Sequence, residues 1–415
     1  MDILKFITAG SVDDGKSTLI GRLLYDTNSV LDDQLEAIQR ANRKNNDGTL
    51  DLAILTDGLK AEREQGITID VAYKYFQTAA RKFIIADAPG HIQYTRNMVT
   101  GASNADLAII LVDARKGVVE QTRRHSFIVS LLALPHVLVC VNKMDMVDYD
   151  EAVFNKVKAD YEKLTENLNI RHVDYIPVSA LKGDNIVSSS ANMPWYDGKP
   201  LLEFLETVEV QPAASTSQAR FPVQWVIRPQ TDELHDYRGY AGRVIGGSFQ
   251  VGDRVRVLPS GFSTSINRIE FSSKDLQLAE NGASVVIHLA DDIDVSRGDI
   301  IVKQDEEPDA SQEFEANICW MDTKPLDTNQ IYLLQHHSKV TKVKVRDILY
   351  RVNMQTLEKS ASDTFGLNDI GRIQFKSADP LAVDPYVDNK ANGGAILIDA
   401  RNNLTVAALM VTQAF

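Results

Sequence analysis

The 415-residue chain holds only two cysteines, Cys140 and Cys319, far apart and each inside an apolar run. They make neither a spaced zinc set nor a disulfide framework, and read instead as buried thiols in a reducing compartment. No apolar run reaches the roughly 18 residues that a membrane-spanning helix needs. The first apolar stretch is short and feeds a glycine-rich loop, unlike a secretory leader, so a cytoplasmic protein that engages no membrane is expected. Basic residues are in the minority, 44 against 57 acidic ones, for a net charge of −13. That balance argues against a broad nucleic-acid-binding face, and no nucleic-acid partner is expected. Low-complexity tracts and fixed-period repeats are also missing. With 44% hydrophobic and 24% charged residues, the composition is that of an ordinary soluble protein. Its length calls for more than one core.

What is present starts at residues 10–17, Gly10-Ser11-Val12-Asp13-Asp14-Gly15-Lys16-Ser17, followed by Thr18. An apolar run over residues 3–9 precedes this G-x-x-x-x-G-K-S pattern, and a helical stretch follows it. In that setting the glycines let the backbone wrap a polyphosphate, with N–H groups and a helix N-terminus pointing inward. Lys16 is placed to reach the β- and γ-phosphates, and Ser17 to put its hydroxyl on Mg²⁺. The loop is therefore expected to bind a nucleoside triphosphate with its Mg²⁺.

Up to about residue 210, strand-like runs at 3–9, 82–86, 107–112, 137–141 and 175–178 alternate with helical stretches such as 121–133 and 151–168. This alternation predicts a mostly parallel sheet with helices on both faces, whose ligands sit at the carboxyl ends of strands. Residues 211–219 are small and polar and read as a linker. From Phe221 onward short strand-like runs follow one another with turn signals and no long helix, which predicts two β-barrels or sandwiches. A break at residues 304–309 separates them. The expected domains are 1–211, 220–304 and 310–415.

Three further motifs fall after strand-like runs. Asp87-Ala88-Pro89-Gly90-His91 supplies a carboxylate that can hold Mg²⁺ through water and a backbone N–H at Gly90 that senses the γ-phosphate. His91 is placed to orient the attacking water. Asn142-Lys143-Met144-Asp145 decides the base. One Asp145 carboxylate can accept both N1–H and the N2 amino group of guanine, whereas adenine would leave it unpaired. Asn142 would brace neighbouring loops and reach the N7 edge, and the Lys143 stem would cover the base. Ser179-Ala180-Leu181 would offer a backbone N–H to O6. A fourth segment, residues 66–70, offers Thr68 as a ligand to Mg²⁺ and the γ-phosphate. Each motif alone has an ordinary reading as a turn or strand residue. Their order along the chain makes the nucleotide GTP and argues against an ATPase or kinase.

Taken together, these signatures resemble the translational GTPase superfamily, which implies an α/β P-loop GTPase domain followed by two all-β barrels. Within it, the chain is most similar to the large GTPase subunits of bacterial sulfate adenylyltransferases. The residues that carry this are 10–17, where elongation factors usually have histidines before Val12 and Gly15, together with 57–70, 93–98 and 121–127. Arg238-Gly239-Tyr240-Ala241-Gly242 and residues 393–399 fit the same branch, while the stretch 230–236 is longer than expected. The chain ends at Phe415 without a second phosphate loop, as in a stand-alone form with no fused kinase domain. The resemblance implies a partner, a small catalytic subunit that makes adenosine 5′-phosphosulfate and pyrophosphate from ATP and sulfate while GTP hydrolysis here drives the synthesis. An elongation-factor-like protein that binds aminoacyl-tRNA is the alternative.

Overall fold

The computed structural model describes residues 2–30, 52, 55, 71–90, 95–166, 168–210, 218–229, 237–272, 274–308 and 310–415. The chain divides into two compact units, Met1–Gln211 with Met354–Leu357, and Pro212–Asn353 with Glu358–Phe415.

In the first unit, β1 (Ile3–Gly10), β2 (Ala72–Gln77), β3 (Lys82–Asp87), β4 (Leu107–Asp113), β5 (His136–Asn142) and β6 (His172–Pro177) form one sheet in the order β2-β3-β1-β4-β5-β6. All neighbours are parallel except β2, which runs antiparallel to β3 on the edge. Every residue of β4 is buried. Burial on both faces is why the central strands read as unbroken apolar runs rather than alternating ones. Register aligns the carboxyl ends, pairing Thr8 with Asp87, Gly10 with Leu111 and Asp113 with Asn142. The helices are α1 (Lys16–Asp26), α2 (Thr95–Ser103), α3 (Glu120–Leu131), α4 (Glu151–Thr165) and α5 (Leu201–Thr207). In α4, Phe154, Val157, Tyr161 and Leu164 repeat at three and four residues and are buried. The Asp150 side chain caps its first turn by accepting the Ala152 N–H at 2.8 Å. Among the described residues, no helix is long and apolar enough to cross a membrane.

The second unit contains two closed barrels. β7 (Arg220–Ile227), β8 (Gly239–Arg243), β10 (Arg254–Leu258), β11 (Phe262–Phe271), β14 (Ser284–Leu289) and β15 (Ile300–Lys303) close the first, because β10 pairs with both β15 and β11. β12 (Lys274–Leu276) extends β11, and β9 (Phe249–Gln250) pairs with β13 (Leu278–Ala279). β16 (Ala310–Trp320), β17 (Ile331–His336), β18 (Lys339–Val352), β20 (Ile370–Ala382), β21 (Gly394–Ile398) and β22 (Thr405–Ala414) close the second, with β19 (Lys359–Ser360) on β18. The helix described in this unit is the short α6 (Lys390–Gly393). Leu258, Ile300, Val302 and Ala382 make a small apolar cluster drawn from both barrels. Beside the cluster's strands, the fully buried Arg220 of β7 forks onto Asp384 at 3.1 and 2.9 Å.

Candidate nucleotide-binding site

Gly10 ends β1 packed against β4, where a Cβ would lie 3.0 Å from the Leu111 carbonyl. The loop then turns through two left-handed residues, Asp13 at φ 65° and Gly15 at φ 92°, before α1 starts at Lys16. A side chain at Gly15 would also stand 2.4 Å from Asn142 Nδ2, so this position requires glycine on both counts. Asp14 closes the turn by accepting the Ser11 N–H at 2.6 Å. Lys16 folds over the loop and donates from Nζ to the carbonyls of Gly10 and Ser11 at 2.9 and 3.1 Å. Its burial pushes the ammonium pKa down, against the pull of Asp87, Asp14 and Asp13. Burial likewise raises Asp14. Ser17 and Thr18 form the first turn of α1. Val12 is half-buried in the loop.

Asp87 sits at the end of β3 with its carboxylate buried and accepts the Thr8 hydroxyl at 3.1 Å. Ala88 donates its N–H to the Thr8 carbonyl at 3.2 Å. Pro89 and Gly90 continue, buried, against the phosphate loop. A Cβ on Gly90 would be 2.6 Å from Lys16 Nζ and 3.0 Å from the Gly10 carbonyl. The segment from β3 therefore lies directly on the lysine. Thr68 and His91, like residues 57–70 and 230–236, lie outside the described residues.

At the end of β5, Asn142 joins two loops. Its Nδ2 donates to the Asp14 carbonyl at 2.7 Å, and its Oδ1 accepts the Ala180 N–H at 3.0 Å. Lys143 adopts a left-handed conformation at φ 64° and reaches back to the Asp13 carbonyl. Met144 is fully buried, its N–H on the Val178 carbonyl at 3.2 Å. Asp145 is set by the Ser179 hydroxyl, which donates to Oδ1 at 2.6 Å. The structure thus brings 10–18, 87–90, 142–145 and 179–181 together at the carboxyl ends of β1, β3, β5 and β6.

Two residues that the sequence reading passed over complete the arrangement. Asp113, buried at the end of β4, pairs with Lys143 Nζ at 3.0 Å and with Arg115 at 2.7 Å. Burial alone would raise its pKa, but these hydrogen bonds outweigh it and hold the carboxyl well below its usual range. Arg22 on α1 reaches the 180–181 loop, donating to the carbonyls of Ala180 and Leu181 at 3.3 and 2.6 Å. Nothing in the sequence beside either residue marks it, since Arg22 lies between Gly21 and Leu23 and Asp113 between Val112 and Ala114. The loop's N–H groups are nearly all spent. Ser179 donates to the Asp184 carbonyl, Ala180 to Asn142, Lys182 to the Ser179 hydroxyl and Gly183 to the Ser179 carbonyl. Among the described residues, the Leu181 N–H is left open.

Residues 1–211 match the family described as elongation factor Tu GTP binding domain, and residues 313–412 match the GTP-eEF1A C-terminal domain-like family. A protein of Bacteroides fragilis named sulfate adenylyltransferase subunit 1 is 50% identical over 412 residues, 99% of this chain and 86% of that relative. The proteins of the same name from Colwellia psychrerythraea and Citrobacter koseri are 47% and 48% identical, over 100% and 99% of this chain and 88% and 86% of theirs. With a GTP-binding domain in its first half and its full length shared with these relatives, the chain belongs to the sulfate adenylyltransferase subunit 1 family, within the translational GTPase superfamily.

Proposed function

We propose that this chain is a Mg²⁺-dependent GTPase that works with a smaller catalytic subunit, and that its GTP hydrolysis drives formation of adenosine 5′-phosphosulfate and pyrophosphate from ATP and sulfate. The observation that carries the nucleotide half is the double hydrogen bond of Asn142, which joins the phosphate loop at Asp14 to the base loop at Ala180. One ligand long enough to touch both loops is a guanine nucleotide. The sulfate half rests on the family and on the single triphosphate motif in this chain, which leaves ATP and sulfate to the partner.

In this reading residues 10–18 cradle the phosphates, and Lys16 exchanges its two loop carbonyls for phosphate oxygens, neutralising charge that builds toward the γ-phosphate. Ser17 and Asp87 are hard oxygen donors at the start of α1 and the end of β3, a set that suits Mg²⁺, with Thr68 as a third. The ion, when bound, supplies charge neutralisation at the β- and γ-oxygens. Ala88, Pro89 and Gly90 carry the γ-phosphate sensor, so that the segment rearranges when phosphate leaves, and His91 orients the attacking water. Asp145 reads N1–H and the N2 amino group. Lys143 covers the base from a position fixed by Asp113 and Asp13, and Met144 anchors the motif in the core. Of residues 179–181, Ser179 fixes Asp145, Ala180 anchors Asn142, and Leu181 donates to O6.

The test is GTP hydrolysis by this chain with and without the small subunit, ATP and sulfate. Turnover that rises only when all three are present, with adenosine phosphosulfate accumulating in step, is the expected result. Turnover indifferent to them and stimulated by ribosomes would place the chain in translation instead.

A further inference from the structure

Arg22 is neither part of the phosphate loop nor a base contact, yet its guanidinium is held by the loop that meets the base. Its side chain is 13% exposed and extends from α1, the helix whose N-terminus is the phosphate loop. Nε donates to the Ala180 carbonyl at 3.3 Å and a terminal nitrogen to the Leu181 carbonyl at 2.6 Å. Asp26, one turn on, stands 3.6 Å away and leaves those two donors committed to the loop. The Ala180 carbonyl and the Leu181 N–H belong to one trans peptide, in which the two groups point in opposite directions. Holding the carbonyl on Arg22 therefore aims the N–H away from α1. The next peptide is also fixed at both ends, its carbonyl on Arg22 and its Lys182 N–H on the Ser179 hydroxyl at 3.2 Å. Behind the loop, Gly183 turns through the left-handed region at φ 86°.

The geometry points to Arg22 as a positioning residue for base selection. By fixing both peptides that flank Leu181, it presents the one open N–H of the loop to the oxygen at C6 of the purine. This inference rests on the guanine-contact reading above. Because the fork springs from the helix that begins at Lys16, one rigid element ties the phosphate subsite to the base subsite.

The discriminating ligand is 6-thio-GDP, which keeps N1–H and the N2 amino group but replaces the C6 oxygen with sulfur, a weak acceptor. Affinities for GDP and 6-thio-GDP are measured with Mg²⁺ by titration calorimetry on the full chain, its Arg22→Gln and its Arg22→Lys variants. The expected result is that the parent chain prefers GDP. Arg22→Gln should lose about fivefold to tenfold in GDP affinity, the worth of one oriented hydrogen bond, and little in 6-thio-GDP affinity, so that the preference collapses. Arg22→Lys, which keeps the charge but offers no planar fork, should fall between. Equal losses on both ligands in either variant would mean that Arg22 merely supports the fold, and would overturn the inference. A parent chain indifferent to the C6 substitution would instead overturn the guanine-contact reading itself, and the inference with it. Should Arg22→Gln not fold, the lysine variant alone decides, by whether its loss is confined to GDP.

Discussion

At the scale of single residues, the proposed site is built by side chains that spend one polar group on the scaffold and leave another uncommitted. Asp145 illustrates this. Its Oδ1 is occupied by the Ser179 hydroxyl at 2.6 Å, which fixes the plane of the carboxylate. Asp145→Asn retains that acceptor and turns an NH₂ toward the base. Guanine's two donors then meet a donor, and GTP affinity should fall about 10- to 100-fold, the cost of leaving buried polar groups unpaired. Xanthine, with a carbonyl in place of the N2 amino group, should gain correspondingly, so xanthosine triphosphate becomes the preferred ligand in a competition titration. Unchanged GTP affinity would remove Asp145 from the base site. Lys143 differs in kind. Its ammonium is committed to Asp113 and the Asp13 carbonyl, so in the proposed site the methylene stem is the part left to cover a base.

At the scale of elements, legibility followed period and burial. The parallel strands of the first unit were readable because both their faces are covered, and the nucleotide motifs because each follows such a strand. Two barrel strands were not readable, for opposite reasons. β8, Gly239-Tyr240-Ala241-Gly242-Arg243, has the composition of a turn. Its glycines are there because neighbours leave no room: a Cβ on Gly239 would lie 2.5 Å from Val286 Cγ1, and one on Gly242 would lie 2.5 Å from the Pro222 carbonyl. β11 is rich in Ser, Thr and Asn, and its register shifts between Ile266 and Arg268, which breaks the alternation that a period-two reading needs. In the first unit, α2 went unread because it carries Thr, Arg, Asn and Gly in nine residues. Arg22 and Asp113 were invisible for another reason, since the partners of Arg22 lie about 160 residues away and Lys143, which Asp113 fixes, about 30, and only the sheet order brings them close. The β8 argument has a consequence. Gly242→Ala pushes a methyl group onto a backbone carbonyl that β7 cannot withdraw, at an expected cost of about 1–3 kcal/mol. Chemical denaturation should show the loss while GDP affinity stays the same. A variant as stable as the parent would mean that β7 and β8 are not packed as described.

At the scale of the whole chain, a buried charge pair crosses the seam between the two barrels of the second unit, and this makes their pairing testable without reference to the nucleotide. Arg220 is fully buried and satisfied on every side. Asp384 takes it at 3.1 and 2.9 Å, the Ala219 and Glu306 carbonyls at 3.1 and 2.7 Å, and the Gln218 side chain at 2.6 Å. Asp384 is in turn held by Asn392 Nδ2 at 2.9 Å, the same amide group that donates to the Ala382 carbonyl at 3.1 Å. Those two donations fix Asn392 Oδ1 as the acceptor facing His337 Nε2 at 3.0 Å, so the ring must carry its proton on that nitrogen. Removing Asp384 therefore does more than delete an ion pair, because it strands a buried guanidinium and releases the amide that orients His337. Breaking one side of such a pair costs about 3–5 kcal/mol, whereas replacing both partners with apolar groups of similar volume can be neutral. Asp384→Ala should accordingly speed amide hydrogen exchange in β7, β15 and β16, and leave exchange in α1 and β5 unchanged. The double variant Arg220→Met, Asp384→Leu should recover most of the protection. Saturating GDP, which stabilises only the segments coupled to its site, should slow exchange in α1 and β5 of all three proteins alike. Uniform acceleration along the entire chain in Asp384→Ala would show that this pair supports more than the seam between the barrels. A double variant no better protected than the single would show that the charge pair itself, rather than the filling of the seam, holds the barrels together.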